Sequence, residues 1–159
     1  MTQELLLDTV VEDLEKLFSH YKLVNSLGVE RTVRVFPQDL PIREGDDEET
    51  DKEAPPEPYV IVRLPEGELP EQDARQTVEV VLVVCVCDPD RNRQGYRDAF
   101  HIVNEIMQHY GANGVVGNRY EVQYPIKWAT QEKETHPYYF AAVGLSMAAP
   151  AIFKEVPET

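Results

Sequence analysis

The sequence predicts an α+β domain: a mostly antiparallel sheet of four to five strands with two helices packed on one face. Three observations carry that prediction. The stretch Gln76 to Cys87 (QTVEVVLVVCVC) holds ten β-branched or apolar residues in twelve, with no Gly or Pro. Two other stretches, about Asp8 to Val24 and about Arg91 to Tyr110, repeat apolar residues at three- and four-residue steps. The remaining apolar runs are short and bounded by proline or glycine, giving the order α, β, β, β, α, β, β.

The first helix carries Val10, Val11, Leu14, Leu17, Phe18, Tyr21 and Val24 on one stripe. Asp8 is placed to cap its start, with Glu12 and Asp13 near the positive end of its dipole. Ser26-Leu27-Gly28 closes it. Arg31 to Phe36 then alternates as a short strand that stops at Pro37. Pro37 to Pro58 is a break with five prolines and few hydrophobic residues. Within it, residues 44–57 hold eight acids against Lys52 alone, a net of −7, half the whole chain's −14. We expect a mobile acidic insertion that adds nothing to the core. The domain is otherwise expected to run through residues 1–150, with 151–159 as a tail.

Tyr59 to Leu64 is the next strand, and Pro65 to Arg75 reads as a long hairpin loop. In the central stretch Val78, Val80, Leu82, Val84 and Val86 point one way, and Val81, Val83, Cys85 and Cys87 the other. Apolar residues of both parities predict a strand covered on both faces, each large side chain contributing about 1.5–3 kcal/mol when buried. Asp88-Pro89-Asp90 ends that strand and caps the second helix. The helix stripe is Tyr96, Ala99, Phe100, Val103, Ile106, Met107 and Tyr110, and Gly111 with Asn113-Gly114 stops it. Tyr120 to Thr130 and Tyr138 to Met147 complete the sheet, joined by a turn over 132–137. Val122, Tyr124, Ile126 and Trp128 share one face, and Pro125 marks an edge or a bulge.

Composition narrows the function. With 29 acidic residues against 15 basic, neither nucleic acid nor an anionic membrane suits the chain as a general partner. The longest apolar run is about half the ~20 residues of a membrane helix, and the opening residues are acidic and amphipathic rather than a signal peptide. The two cysteines lie two apart on one strand face, a poor geometry for a disulfide. We expect reduced, buried thiols in an intracellular protein, and no metal, since no third or fourth ligand stands near them. His20, His101, His109 and His136 have no partner at a recognisable spacing and read as structural or solvated. Ser19, Ser26 and Ser146 lack a nucleophile-elbow context. Gly111 to Gly117 (GANGVVG) follows a helix, whereas a phosphate cradle opens one. The acid run lacks the alternating ligand spacing of a calcium loop. No catalytic residue and no cofactor is therefore assigned.

One cluster invites a functional reading. Arg91, Arg93 and Arg97 crowd the start of the second helix, the unfavourable end of its dipole, at a few tenths of a kcal/mol each. In the plain reading they form a solvated helix start made tolerable by Asp88, Asp90 and Asp98. In the functional one they form a basic patch that meets Glu66, Glu68, Glu71 and Asp73 of a neighbouring subunit.

The order of elements resembles the tail terminators and related tail-completion (minor tail) proteins of long-tailed phages and prophages. The likeness rests on the opening amphipathic helix, the strand Pro58-Tyr59-Val60-Ile61-Val62, the long central strand and the second helix. It continues in the closing hairpin of Tyr120 to Trp128 with Tyr138-Tyr139-Phe140, and it covers most of residues 5–150 by pattern. The acidic insertion departs from that pattern. The resemblance implies a structural virion-assembly protein that forms a ring of about six copies, caps the tail tube and presents a surface to the head. Its implied partners are itself, the tail tube protein and the head-completion protein, in the virion or the host cytoplasm. A reading from another class stays open: a small intracellular enzyme or ligand-binding domain whose site assembles only in three dimensions.

Overall fold

The computed structural model describes residues 2–24, 27–40, 56–90 and 94–151. Among the described residues eleven elements follow one another: α1 (Thr2–Leu17), β1 (Lys22–Val24), β2 (Glu30–Thr32), β3 (Arg34–Pro37), β4 (Tyr59–Arg63), β5 (Gly67–Glu68), β6 (Arg75–Cys87), α2 (Gly95–Ala112), β7 (Val115–Val116), β8 (Tyr120–Thr130) and β9 (Tyr138–Ala151). The chain is α+β, with two helices among the described residues, but the expected four- to five-stranded, mostly antiparallel sheet is wrong. Seven strands form a mixed sheet that curls into a half-barrel. Its order is β3-β4-β6-β9-β8-β7, with β5 also paired to β6, and β1 pairs β2 in a separate ribbon.

The mixed character comes from β3 and β4, which run parallel with Arg34 opposite Tyr59. Parallel neighbours need a crossover of a dozen or more residues. The proline-rich break after Pro37 is long enough to be that crossover, and not merely an insertion. The curl is visible at α1, which touches β3 and β4 at one side of the sheet and β7 at the other. Thr9 of α1 sits so close to Gly117 that a β-carbon there would lie 2.5 Å from its methyl group.

The core fills the inner face of the curl. Leu6, Val10 and Leu14 of α1, with Phe18 just after it, meet Ile102, Val103, Ile106 and Tyr110 of α2 over the even-numbered residues of β6 and the odd-numbered residues of β9. The i, i+4 run Leu6-Val10-Leu14-Phe18 explains why α1 starts well before Asp8. It ends at Leu17, short of the expected Val24. Phe18, Tyr21 and Val24 continue the helical step, yet Val33 N donates to Tyr21 O at 3.0 Å and draws the chain into the β1–β2 ribbon.

The expectation that β6 is covered on both faces also needs correction. Val78, Val80, Leu82, Val84 and Val86 are at most 2% exposed, but Val81 and Val83 on the outer face are only half-buried. That outer face carries a smaller cluster of Phe36, Tyr59 and Cys85 with Ile61, Tyr138 and Phe140 against it. Of the acidic insertion, residues 44–55 lie outside the described residues. Its last acid, Glu57, is 3% exposed and so belongs to the fold, not to a solvated loop.

Candidate assembly surface

The second helix turns its apolar stripe differently from the expected one. Gly95, Ala99, Ile102, Val103, Ile106 and Tyr110 are buried, while Tyr96 and Phe100 stand more than a third exposed along its flank. Gly95 takes the first helical position because Tyr139 presses against it: a β-carbon there would lie 2.3 Å from the tyrosine ring. Gln94 precedes it and makes no capping hydrogen bond from its side chain. Instead Gln94 Oε1 accepts Arg97 Nε at 2.6 Å, and the Arg97 guanidinium lies over the Tyr96 ring, 5.5 Å from its centre. Asp98 in the same turn has its carboxyl held above the usual range, by burial first and then by the charge of Asp88.

Opposite this flank runs β8. Gln123 pairs with Ser146 and Lys127 with Gly144, so Tyr124, Pro125 and Ile126 face one residue of β9 in a bulge. Beyond the bulge the strand projects Trp128, 53% exposed, whose ring meets Phe100 edge to face at 5.7 Å. Phe100 meets Tyr96 at the same separation. Tyr96, Phe100 and Trp128 thus form an aromatic ladder across two elements. Beside it lies a groove of about 360 Å³ lined by Phe100, Val103, Asn104, Met107 and Trp128.

The two edges of the sheet differ. At β3 the Val33 amide is occupied by Tyr21 O, and Pro37 has no amide hydrogen to offer, so that edge is blunted. At β8 the short β7 covers only Tyr120 and Glu121, and Val122 N donates to Gly114 O. Among the described residues nothing pairs with the outer edge of β8 from Gln123 to Thr130; Pro125 and the bulge interrupt that edge, and Lys127 to Thr130 is its continuous open stretch. An unpaired strand edge beside an exposed aromatic wall has the makings of a protein-docking surface.

The seven residues named from sequence fall as follows. Arg91 and Arg93 lie outside the described residues. Arg97 stands exposed at the start of α2, close to Asp88 and the Cys87 end of β6. Glu66, Glu68, Glu71 and Asp73 are exposed around β5 and the approach to Arg75, at the other end of β6. Glu68 registers with Thr77, ten residues along β6 from Cys87, which puts about 33 Å between the two groups. They do not meet within one copy. The acidic end also holds an exposed ion pair, Arg75 Nη1 to Glu121 Oε2 at 2.7 Å. Glu66 leans on Glu79 there, and its charge is the main reason the Glu79 carboxyl is raised above its ordinary value.

Sequence reading missed the contact that joins the two helices. His109 Nε2 lies 2.7 Å from Asp13 Oδ2 and ties α2 to α1. The pair is separated by 96 residues, so no local spacing announces it. His136 Nδ1 lies 3.1 Å from the Tyr139 hydroxyl. Among the described residues no group of three or more His, Cys, Asp or Glu is placed to hold a metal ion. Cys85 and Cys87 are free and buried; burial pushes the Cys85 thiol up to about 12 and the Cys87 thiol up to about 11. Among the described residues no helix is long and apolar enough to cross a membrane.

No protein-family model matches the chain, and no curated protein matches it. Of 22 solved chains that match, one overlays with a TM-score of 0.53, covering 95% of this chain and 97% of its own length at 16% identity. The name it carries describes no activity. At that identity the likeness is one of fold.

Proposed function

We propose that this chain is a ring-forming structural subunit of a phage or prophage tail, a terminator or head–tail joining component that caps the tail tube. The observation that carries the proposal is the unpaired edge of β8 beside the exposed Tyr96–Phe100–Trp128 ladder. A monomer gains nothing by holding three large aromatic side chains in water next to open backbone donors and acceptors, whereas a neighbour would satisfy both. The placement of Arg97 and the acidic group at opposite ends of β6 adds direction. Separated complementary patches favour a head-to-tail contact, which closes into a ring when the rotation between copies allows it. The further partners in this reading are the tail tube protein and the head-completion protein, and the location is the virion or the host cytoplasm. The test is absolute mass by light scattering over a concentration series, with and without purified tail tubes. Discrete closed oligomers, or capped tubes, are the expected result. A chain that stays monomeric and ignores tubes overturns the proposal.

A further inference from the structure

We infer that the segment following β9, Ile152 to Val156, docks in the α2–β8 groove of a second copy, with Phe153 as the side chain that fills it. The inference rests on the self-assembly reading above and names the contact that makes it. Its first support is the site. The groove is apolar apart from Asn104, one wall is the Trp128–Phe100 pair, and its rim is the open edge of β8. Such a place takes an extended segment as an added strand, with main-chain hydrogen bonds along the edge and one large side chain in the pocket.

The second support is the choice of occupant. Phe153 is the one aromatic residue of the sequence outside the described residues, and Ile152 precedes it. A fourth ring suits an edge-to-face ladder that already has three. The third support is reach. β9 finishes at Ala151, opposite Arg75, whereas Trp128 pairs with Val143, eight residues back along the strand. That separation is about 26 Å at 3.3 Å per residue, and two extended residues carry Phe153 only about 7 Å from Ala151. Phe153 therefore cannot reach the Trp128 wall of its own chain. Only a second copy can offer it.

The fourth support is electrostatic. The segment leaves the fold at the Arg75 end of β6, where Glu66, Glu68, Glu71 and Asp73 lie. The groove it enters lies beside Arg97. Docking one into the other brings the acidic end of one copy to the basic helix start of the next, so that a single junction uses both features.

Trp128 is the only tryptophan, so its fluorescence reports on the groove directly. With the full chain, emission should move to shorter wavelength as concentration rises, in step with the mass measured by light scattering. The full-length Phe153→Ala variant should need at least tenfold more protein to assemble, and its Trp128 emission should stay red-shifted. Its melting curve checks that the fold is kept. A synthetic peptide of residues 150–159 added to that variant should restore the blue shift saturably, and the same peptide carrying Phe153→Ala should not. The inference is overturned if Phe153→Ala assembles at the wild-type concentration, or if the peptide leaves Trp128 unchanged; in either case assembly of the wild-type chain still supports the ring. A wild-type chain that never assembles, with or without tubes, overturns both.

Discussion

At the scale of single residues, chemistry follows burial and neighbouring charge. Cys85 sits on the outer face of β6 under Tyr59 and its neighbours, and Cys87 is buried two residues on, opposite Tyr138; in both places a thiolate is poorly solvated. With pKa values pushed up to about 12 and about 11, both should resist a thiol reagent in the native state at neutral pH and react at once in denaturant. Rapid native labelling of either would contradict this. Glu79 illustrates the opposite case, a carboxylate facing Glu66. Its raised folded pKa means that its favourable contribution is fully present below the unfolded value and is lost as pH rises through the folded one. Glu79→Gln should therefore raise the melting temperature at pH 7, and the gain should fade as the pH drops through the raised folded value and vanish below the ordinary carboxylate range. An equal shift at both pH values would remove Glu66 as the cause. The cysteines were legible in the sequence because their neighbours along the strand are valines. The Asp13–His109 pair was not, because it is made by the packing of two helices and not by spacing.

Elements follow the same division between local and distant causes. The cores of both helices and of β4, β6, β8 and β9 were legible, since each carries its own period of apolar residues. Their limits and orientations were not. Tyr96 and Phe100 fit the helical stripe of α2 by spacing, yet Gly95 against Tyr139 rotates the helix so that Ile102 is buried and they are left on the flank. The two-residue strands β5 and β7 are too short to show alternation, and the parallel β3–β4 pair is decided by a crossover. The curl depends on contacts such as that between α1 and the β7–β8 turn. Gly117 has φ of +60° there and has Thr9 against it. Gly117→Ala should cost about 1–3 kcal/mol from the left-handed backbone and the lost space together. Thr9→Ala in the same chain should return the part due to the clash, as read from urea midpoints. If the single variant is as stable as the wild type, α1 does not hold that edge of the sheet as described.

The assembled molecule is where direction matters, and charge supplies a test of it. Each copy has an acidic end around Glu68 and Glu71 and a basic helix start at Arg97, about 33 Å apart along β6. In a head-to-tail ring every junction joins one of each. A chain with Arg93→Glu and Arg97→Glu is acidic at both ends, and one with Glu68→Lys and Glu71→Lys is basic at both. Each alone should assemble less well than the wild type, because every junction then meets like charge. Mixed in equal amounts, the two should recover. The altered helix start of the first faces the altered acidic end of the second, and the native ends of both face each other, so every junction in a strictly alternating ring is again complementary. Alternation closes only when the number of copies is even. A ring of six re-forms at its wild-type mass, whereas an odd ring leaves one frustrated junction and changes size or stays open. Rescue should also weaken between about 0.05 and 0.5 M salt as screening shortens to a few ångströms. Light scattering on the two variants and their mixture decides the matter: a mixture no larger than its parts would mean that these ends do not meet.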